Sequence, residues 1–190
     1  INNRADTGTS AFLLEKDTIH GNLNMSVQFD KKSIKVAGQN ILCFHESDPE
    51  NLPWKKLGVD IVFECTGKFN SKEQSSKHLL AGAKRVLVSA PCKNADQTIV
   101  YGVNEKKISS KDKIISVASC TTNCLAPLAY VMDKHFSIER GYMTTIHSYT
   151  SDQRLLDNSH KDLRRARSAP NSMVPTSTGA ATSLGLILPN

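Results

Sequence analysis

The stretch Ser119-Cys120-Thr121-Thr122-Asn123-Cys124 lies between an apolar run and a helical pattern. The preceding residues 113–118 (KIISVA) carry β-branched side chains that are typical of a strand. Apolar residues recur at helical spacing between Leu125 and Phe136. We therefore expect Cys120 at a strand-to-helix turn, where free N–H groups and the helix dipole favour a thiolate. The same position also allows a small buried structural cysteine.

The composition is typical of a globular protein with free thiols and without a membrane span. Of the 190 residues, 39% are hydrophobic and 22% are charged, which is ordinary for a soluble globular protein. No run approaches the ~18 apolar residues of a membrane span. Five cysteines at scattered spacings indicate free thiols in a reducing compartment, and we expect a cytoplasmic protein. The net charge of +6 is spread along the chain, which favours anionic ligands such as phosphates over a nucleic-acid surface.

Both ends of the chain lack the polar, flexible character of natural termini. The sequence opens on Ile1-Asn2 and closes on Ile187-Leu188-Pro189-Asn190, directly after an apolar run. This pattern predicts an internal fragment of a longer protein.

Alternation of strand and helix patterns predicts an open α/β sheet. The nearly continuous apolar run 59–64 is typical of a strand buried on both faces of a parallel sheet. A helix is expected from Ser71 until Gly82 ends it. The other predicted elements are a helix over 10–16, a hairpin over 25–29 and 33–36, strands over 40–44, 85–89, 98–103 and 113–118, and a half-buried strand over 142–149.

Small or hydroxylic residues follow three of these strands. They are Thr66-Gly67, Ser89-Ala90 and Ser119-Cys120. Ligands of open α/β sheets bind outside the carboxyl ends of the strands, so a nucleotide site is expected there. The sequence contains no G-x-G-x-x-G motif. This absence is expected if the domain is truncated, because the motif would lie in the first strand-to-helix turn.

The C-terminal third contains a histidine and a long polar connection. A lone histidine on a strand, such as His147, is commonly structural and can also be catalytic. The stretch 150–175 is too long for an ordinary loop, which indicates a functional or interfacial role. Ser177-Thr178-Gly179 then opens another helical pattern and places hydroxyls at a helix start.

Several ordered motifs give the chain a specific resemblance. It resembles phosphorylating, bacterial-type glyceraldehyde-3-phosphate dehydrogenases from Ile1 to Asn190. The motifs are KDTIHG at 16–21, DPENLPW at 48–54, ECTGKF at 64–69, SCTTNCLAP at 119–127, TTIHSYTSDQ at 144–153, HKDLRRAR at 160–167 and VPTSTGAA at 174–181.

The resemblance implies thioester chemistry on glyceraldehyde 3-phosphate, with hydride transfer to NAD. Cys120 would be the nucleophile and His147 the general base, 27 residues apart as in the family. Inorganic phosphate would then cleave the thioester to give an acyl phosphate. The other implied site residues are Ser119, Thr121, Thr178 and Gly179 for the attacking phosphate, Thr150 for the substrate phosphate, and Thr66, Gly67, Ser89 and Ala90 for the dinucleotide.

The resemblance also implies an architecture. The fold class is α/β, with a Rossmann-type doubly wound parallel sheet over 1–119 that lacks its first strand and glycine-rich loop. The start of an α+β catalytic domain follows over 120–190. The loop 150–175 would pack between subunits of a homotetramer, and no specific nucleic acid is expected. No metal is expected either, since Cys120 and Cys124 without further ligands make a weak zinc site.

Two positions depart from the family pattern, and one of them is Ser47, which stands where many relatives place an arginine beside the adenine. Asn3 stands where NAD-dependent members carry an aspartate that binds the ribose hydroxyls and repels a 2′-phosphate. The neutral amide keeps hydrogen bonding and loses the repulsion, and Arg4 is adjacent. We therefore expect NAD as cofactor, with weaker discrimination against NADP.

Three alternatives remain open from the residues. Erythrose-4-phosphate dehydrogenase shares the cysteine and histidine, although Thr150 with Ser177-Thr178-Gly179 favours the triose substrate. A non-phosphorylating aldehyde dehydrogenase would use water in place of phosphate. A binding protein or adhesin without turnover would have no need of Cys120 and His147 together.

Overall fold

The computed structural model describes residues 1–188. The chain falls into two compact units, Ile1–Val62 with Glu73–Val86 and Phe63–Lys72 with Leu87–Asn190. Pro189 and Asn190, at the C-terminal end considered above, lie outside the described residues. The functional division at 119/120 stays a prediction.

The first unit begins with a helix and small antiparallel sheets. The predicted hairpin is confirmed, because Phe29 pairs with Ile34 and Val27 with Val36. Its turn is held by Asp30, whose carboxylate accepts the N–H of Ser33 at 2.8 Å. The elements are α1 (Thr7–Glu15), β1 (Lys16–Asp17), β2 (Gly21–Asn22), β3 (Val27–Phe29), β4 (Ser33–Val36), β5 (Gln39–Leu42) and α2 (Trp54–Leu57).

The core of the first unit is built around Trp54. The indole packs with Leu52, Val62 and Ala81, and Phe44 meets it edge-on at 6.1 Å between ring centroids. Its Nε1–H donates to Nδ1 of the buried His78 at 3.1 Å. The one polar atom of this ring is thus satisfied inside an apolar cluster, as burial of a polar group requires.

A four-stranded sheet has the order β6-β7-β9-β8. Its strands are β6 (Ile61–Glu64), β7 (Arg85–Val88), β8 (Gln97–Thr98) and β9 (Ile114–Ser116), and helix α3 (Lys72–Leu80) connects β6 to β7. β8 and β9 pair in parallel. All three residues of β9 are buried. The predicted α/β class with a parallel sheet is confirmed.

Two predictions about these strands are wrong. The strand predicted over 98–103 stops at Thr98, because the side-chain oxygen of Asn104 takes the N–H of Val100 at 2.8 Å and starts a turn. β6 is buried on only one face, with Phe63 70% exposed. It lies at the edge of the sheet order, and no segment of residues 1–188 covers its second face.

Two helices complete the second unit. They are α4 (Cys120–Phe136) and α5 (Ala180–Ile187), and they pack against each other. Ala126 and Ile187 are fully buried in a cluster with Val100 and Ala118. No helix in the described part of the chain has the length and apolar character needed to cross a lipid bilayer.

The connection between α4 and α5 contains only the short 3₁₀ turns 163–166 and 169–171. The strand predicted over 142–149 is wrong. Within the described chain these residues pair with no other segment, and the side chains of Tyr142 and Ile146 are fully exposed. A strand needs a partner to satisfy its backbone groups, and alternation of side chains alone does not provide one.

Candidate active site

Cys120 lies at the first residue of α4, as expected. The helix begins there because Ser119 is an extended N-cap whose Oγ accepts the N–H of Thr122 at 3.1 Å. The side-chain amide of Asn123 adds bonds to the carbonyls of Val117 at 2.7 Å and Ser119 at 2.9 Å. Since Cys120 is exposed, the alternative of a buried structural cysteine is excluded.

His147 contacts the thiol directly. Its Nε2 lies 3.1 Å from Cys120 Sγ, and its Nδ1–H donates to the Ser148 carbonyl at 2.6 Å. This second bond fixes the tautomer, so that Nε2 is the nitrogen that can take a proton from the thiol. His147 reaches Cys120 from an irregular segment.

The contact shifts the pKa values of Cys120 and His147 in opposite directions. The pKa of Cys120 is lowered, mainly by the hydrogen bond from His147 and further by the N–H of Thr121, while partial burial opposes the shift. The pKa of His147 is raised by its bonds to the Ser148 carbonyl and to Cys120. Both shifts favour a thiolate–imidazolium pair, in which Nε2–H donates to Sγ.

The predicted phosphate residues fall on the second unit. Ser119 and Thr121 flank Cys120 at the start of α4, and Gly179 caps α5. The hydroxyl of Thr178 accepts the N–H of Ala180 at 3.2 Å, and that of Thr150 accepts the N–H of Asp152 at 3.4 Å. The hydroxyls of Thr150 and Thr178 thus each bond to an N–H two residues further along the chain, whereas Cys120 and His147 bond to each other.

Arg165 links the segments that carry Thr150 and Thr178, a role that sequence reasoning missed. Its guanidinium pairs with Asp152 and donates to Thr176 Oγ1 at 3.1 Å and to the Ser177 carbonyl at 3.3 Å. The arginine lowers the pKa of the Asp152 carboxyl. The basic run over 160–167 was the only sequence signal for this role. Nothing near Arg165 in the sequence identifies Asp152 as its partner.

Thr66 and Gly67 follow β6 after one intervening residue, Cys65. The N–H of Thr66 donates to Glu64 Oε1 at 2.7 Å, and the Asn70 side chain donates to the Gly67 carbonyl at 2.7 Å. Ser89 and Ala90 follow β7, and the N–H of Ser89 donates to the Glu64 carbonyl at 3.0 Å. The structure therefore brings these two turns to neighbouring strand ends, as the sequence predicts.

Asn3 belongs to the first unit and braces α1. Its Nδ2 donates to Ser10 Oγ at 3.2 Å, and its Oδ1 accepts the N–H of Ala5 at 3.2 Å. Nowhere in residues 1–188 do three or more histidine, cysteine or acidic side chains form a group that could hold a metal ion.

Comparison with known proteins gives two family matches. Residues 1–72 match the NAD binding domain of glyceraldehyde 3-phosphate dehydrogenase, and residues 119–190 match its C-terminal domain. The chain is 54% identical over 190 residues to a glyceraldehyde-3-phosphate dehydrogenase of Geobacillus stearothermophilus and covers 57% of its length. It is 53% identical over 190 residues to that of Zymomonas mobilis and covers 56% of its length. All 190 residues align with both relatives, so the resemblance seen in the motifs is confirmed and the chain belongs to the glyceraldehyde-3-phosphate dehydrogenase family.

Proposed function

We propose that this chain contributes the nucleophile, the base and part of the ligand sites to the phosphorylating oxidation of glyceraldehyde 3-phosphate to 1,3-bisphosphoglycerate. The hydride goes to NAD, and the reaction belongs to glycolysis or gluconeogenesis in the cytoplasm. The observation that carries the proposal is the 3.1 Å contact between Cys120 Sγ and His147 Nε2 at the start of α4. The chain spans about 57% of the length of the curated relatives it matches.

The first step uses the thiolate of Cys120. It forms a bond to the aldehyde carbon as the electron pair of the C=O π bond moves to the oxygen. That oxygen takes the Nε2 proton of the His147 imidazolium and becomes the hydroxyl of a thiohemiacetal, which leaves Nε2 free to act as a base. The N–H groups at the start of α4 are the available donors for negative charge on that oxygen. His147 Nε2 then takes the hydroxyl proton as the carbon loses hydride, which leaves a thioester on Cys120.

The second step returns the thiolate. An oxygen of inorganic phosphate bonds to the thioester carbon, the C–S bond breaks, and Cys120 leaves with the electron pair. We assign the attacking phosphate to Ser119 and Thr121 at the start of α4, and to Thr178 and Gly179 just before α5. N–H groups and hydroxyls at helix starts bind anions. Thr150 is assigned to the phosphate of the substrate. Arg165 holds the two loops that carry Thr150 and Thr178.

The residues present fit part of a dinucleotide site. Apart from Gly67 itself and its two chain neighbours, no heavy atom lies within 4 Å of the place where a Cβ would sit on Gly67, so a ligand can approach this backbone closely. Thr66, Ser89 and Ala90 add hydroxyl and backbone groups at the carboxyl ends of β6 and β7, and Asn3 is assigned to the ribose. When bound, NAD supplies the hydride acceptor.

The function assigned to residues 1–119 is dinucleotide binding, and that assigned to 120–190 is catalysis. We further propose a homotetramer that uses the loop 150–175. Leu155, Leu156 and Leu163 in this loop are exposed, which supports a protein partner over a nucleic acid.

The phosphate requirement tests the function on a polypeptide that carries this sequence at the full length of its relatives. Nicotinamide reduction would be followed with glyceraldehyde 3-phosphate, with and without inorganic phosphate, beside Cys120→Ala. We expect sustained turnover with phosphate alone and none in the variant. Equal turnover without phosphate would contradict the proposal and indicate hydrolysis by water. Erythrose 4-phosphate as a better substrate would reassign the enzyme, and no turnover at all would favour a binding role.

A further inference from the structure

Ser116 is a fully buried polar residue that the proposed chemistry does not use. It is the last residue of β9, the central buried strand that leads to Cys120. Its Oγ–H donates to the Ala90 carbonyl at 2.9 Å, and the same oxygen accepts the N–H of Ala118 at 3.1 Å. One hydroxyl therefore satisfies two backbone groups, and its removal would leave both without that partner.

Ala118, whose N–H is bonded to Ser116, has an unusual backbone conformation. Ala118 has φ +59°, in the left-handed region that an alanine adopts only at an energetic cost. Its methyl group is buried against Val100, Ala126 and Ile187. Packing on one side and the bond to Ser116 on the other therefore keep this residue in a conformation that it would not adopt alone.

The strained residue lies two positions before Cys120. Ala118 is followed by Ser119, whose extended N-cap conformation starts α4. A change at Ala118 would rotate this cap and move Sγ relative to His147 Nε2 and the Thr121 N–H. Those two donors are the groups that stabilise the thiolate.

The hydroxyl of Ser116 also bonds to Ala90, in the turn after β7 that is predicted to bind the cofactor. Ala90 follows β7, and the β7–β9 pairing continues past Ser116 through the N–H of Val117, which donates to the Val88 carbonyl at 3.0 Å. Ser116 thus connects the turn after β7 with the turn that carries the nucleophile.

We propose that Ser116 is a positioning residue that orients Cys120 for thiolate formation and fixes the Ala90 carbonyl at the adjoining turn. This inference rests on the proposed role of Cys120 as nucleophile. Ser116 touches no reacting atom, so its effect passes through the Ala118–Ser119 turn.

The test measures the thiol itself. Alkylation of Cys120 by iodoacetamide would be followed against pH by peptide mass spectrometry in the wild type, Ser116→Ala and Ser116→Thr. We expect Ser116→Ala to shift the inflection of the alkylation rate to higher pH and to slow the reaction near pH 6 by about tenfold, as a loss of one pKa unit of thiolate stabilisation does. Ser116→Thr keeps the hydroxyl and should restore the wild-type inflection.

Ser33→Ala is the matched control, because Ser33 is also a buried strand serine whose hydroxyl is bonded, to Asp30 Oδ2 at 3.0 Å, but in the first unit. An unchanged inflection in a folded Ser116→Ala variant would overturn the proposal, as would an equal shift in Ser33→Ala. If circular dichroism shows that Ser116→Ala is unfolded, Ser116→Cys replaces it, with tandem spectra separating modification at position 116. A smaller upward shift is then expected, and no shift overturns the proposal.

The readout separates this inference from the proposed function. A Ser116-dependent inflection in a full-length protein without dehydrogenase activity would contradict the function and retain the positioning role. Normal dehydrogenase activity with an inflection that does not depend on Ser116 would support the proposed function and contradict the positioning role.

Discussion

At the residue scale, the contact between Cys120 and His147 predicts a pH window for the reactive thiol. The ion pair exists above the lowered pKa of Cys120 and below the raised pKa of His147. We expect His147→Ala to move the inflection of Cys120 alkylation to higher pH, toward the ordinary range of a free cysteine thiol, because the largest cause of the lowered pKa is removed. Peptide-resolved alkylation against pH measures it.

His135→Ala removes another exposed histidine near the end of α4 and serves as the control. Cys124, exposed on the same helix, is an internal reference whose alkylation should not respond to either variant. An inflection that stays at its wild-type pH in His147→Ala would show that the helix terminus alone activates Cys120.

Asn3 gives a second prediction at this scale, on the choice between NAD and NADP. An aspartate there keeps an acceptor for the N–H of Ala5 and can accept from Ser10, so the local structure should survive. Its charge repels a 2′-phosphate, and we expect Asn3→Asp to raise the preference for NAD about tenfold, which is ~1.4 kcal/mol. The ratio of kcat/KM values in the full-length enzyme measures it.

Asn40→Asp, at an exposed position of β5, adds the same charge elsewhere in the first unit. A preference for NAD over NADP that is unchanged by Asn3→Asp would contradict the assignment of Asn3 to the ribose.

At the element scale, Gly82 determines how α3 ends against α2. It has φ +106°, and an added Cβ would lie 2.4 Å from Lys55 Cβ and 2.7 Å from the Lys55 backbone. Gly58 also has a positive φ of +64°, but its added Cβ would meet nothing within 4 Å. Gly58→Ala should therefore lower the free energy of unfolding by about 1 kcal/mol for backbone strain alone.

Gly82→Ala adds the collision to the strain and should cost about 1–3 kcal/mol more. Urea unfolding of both variants, followed by Trp54 fluorescence, measures the difference. Equal midpoints would mean that Lys55 and α2 move away without cost.

The irregular connection shows where element prediction from sequence fails. The alternation over 142–149 is a real local signal, but no other segment among residues 1–188 pairs with it. In contrast, the hairpin at Asp30 was predictable, since its turn is held by the aspartate side chain three residues from Ser33.

At the scale of the whole molecule, the exposed leucines of the loop 150–175 predict subunit contacts. Leu156 is 74% exposed in this loop, and Leu80 on α3 is equally exposed in the first unit. If the loop packs between subunits, Leu156→Asp places a charge in that interface and should shift the tetramer toward smaller species.

Sedimentation velocity of the full-length enzyme measures the assembly, with Leu80→Asp as the control. We expect the control to sediment as the wild type does. A tetramer that persists in Leu156→Asp, or dissociates equally in Leu80→Asp, would contradict an interface through the loop.

The amino-acid sequence by itself determined the family, the parallel α/β class and the turn at Cys120. The turn at Cys120 depends on residues close together in the chain, namely the β-branched run of β9, the Ser119 cap and the helical spacing of α4. The family and the class depend on further motifs and patterns, each of them local, along the rest of the chain. Only the tertiary structure decided that His147 meets Cys120 from an irregular segment, that Arg165 pairs with Asp152, and that Ser116 holds Ala118. Each of these contacts joins groups whose meeting depends on how the backbone folds between or around them, and a residue pattern records local preference without that geometry.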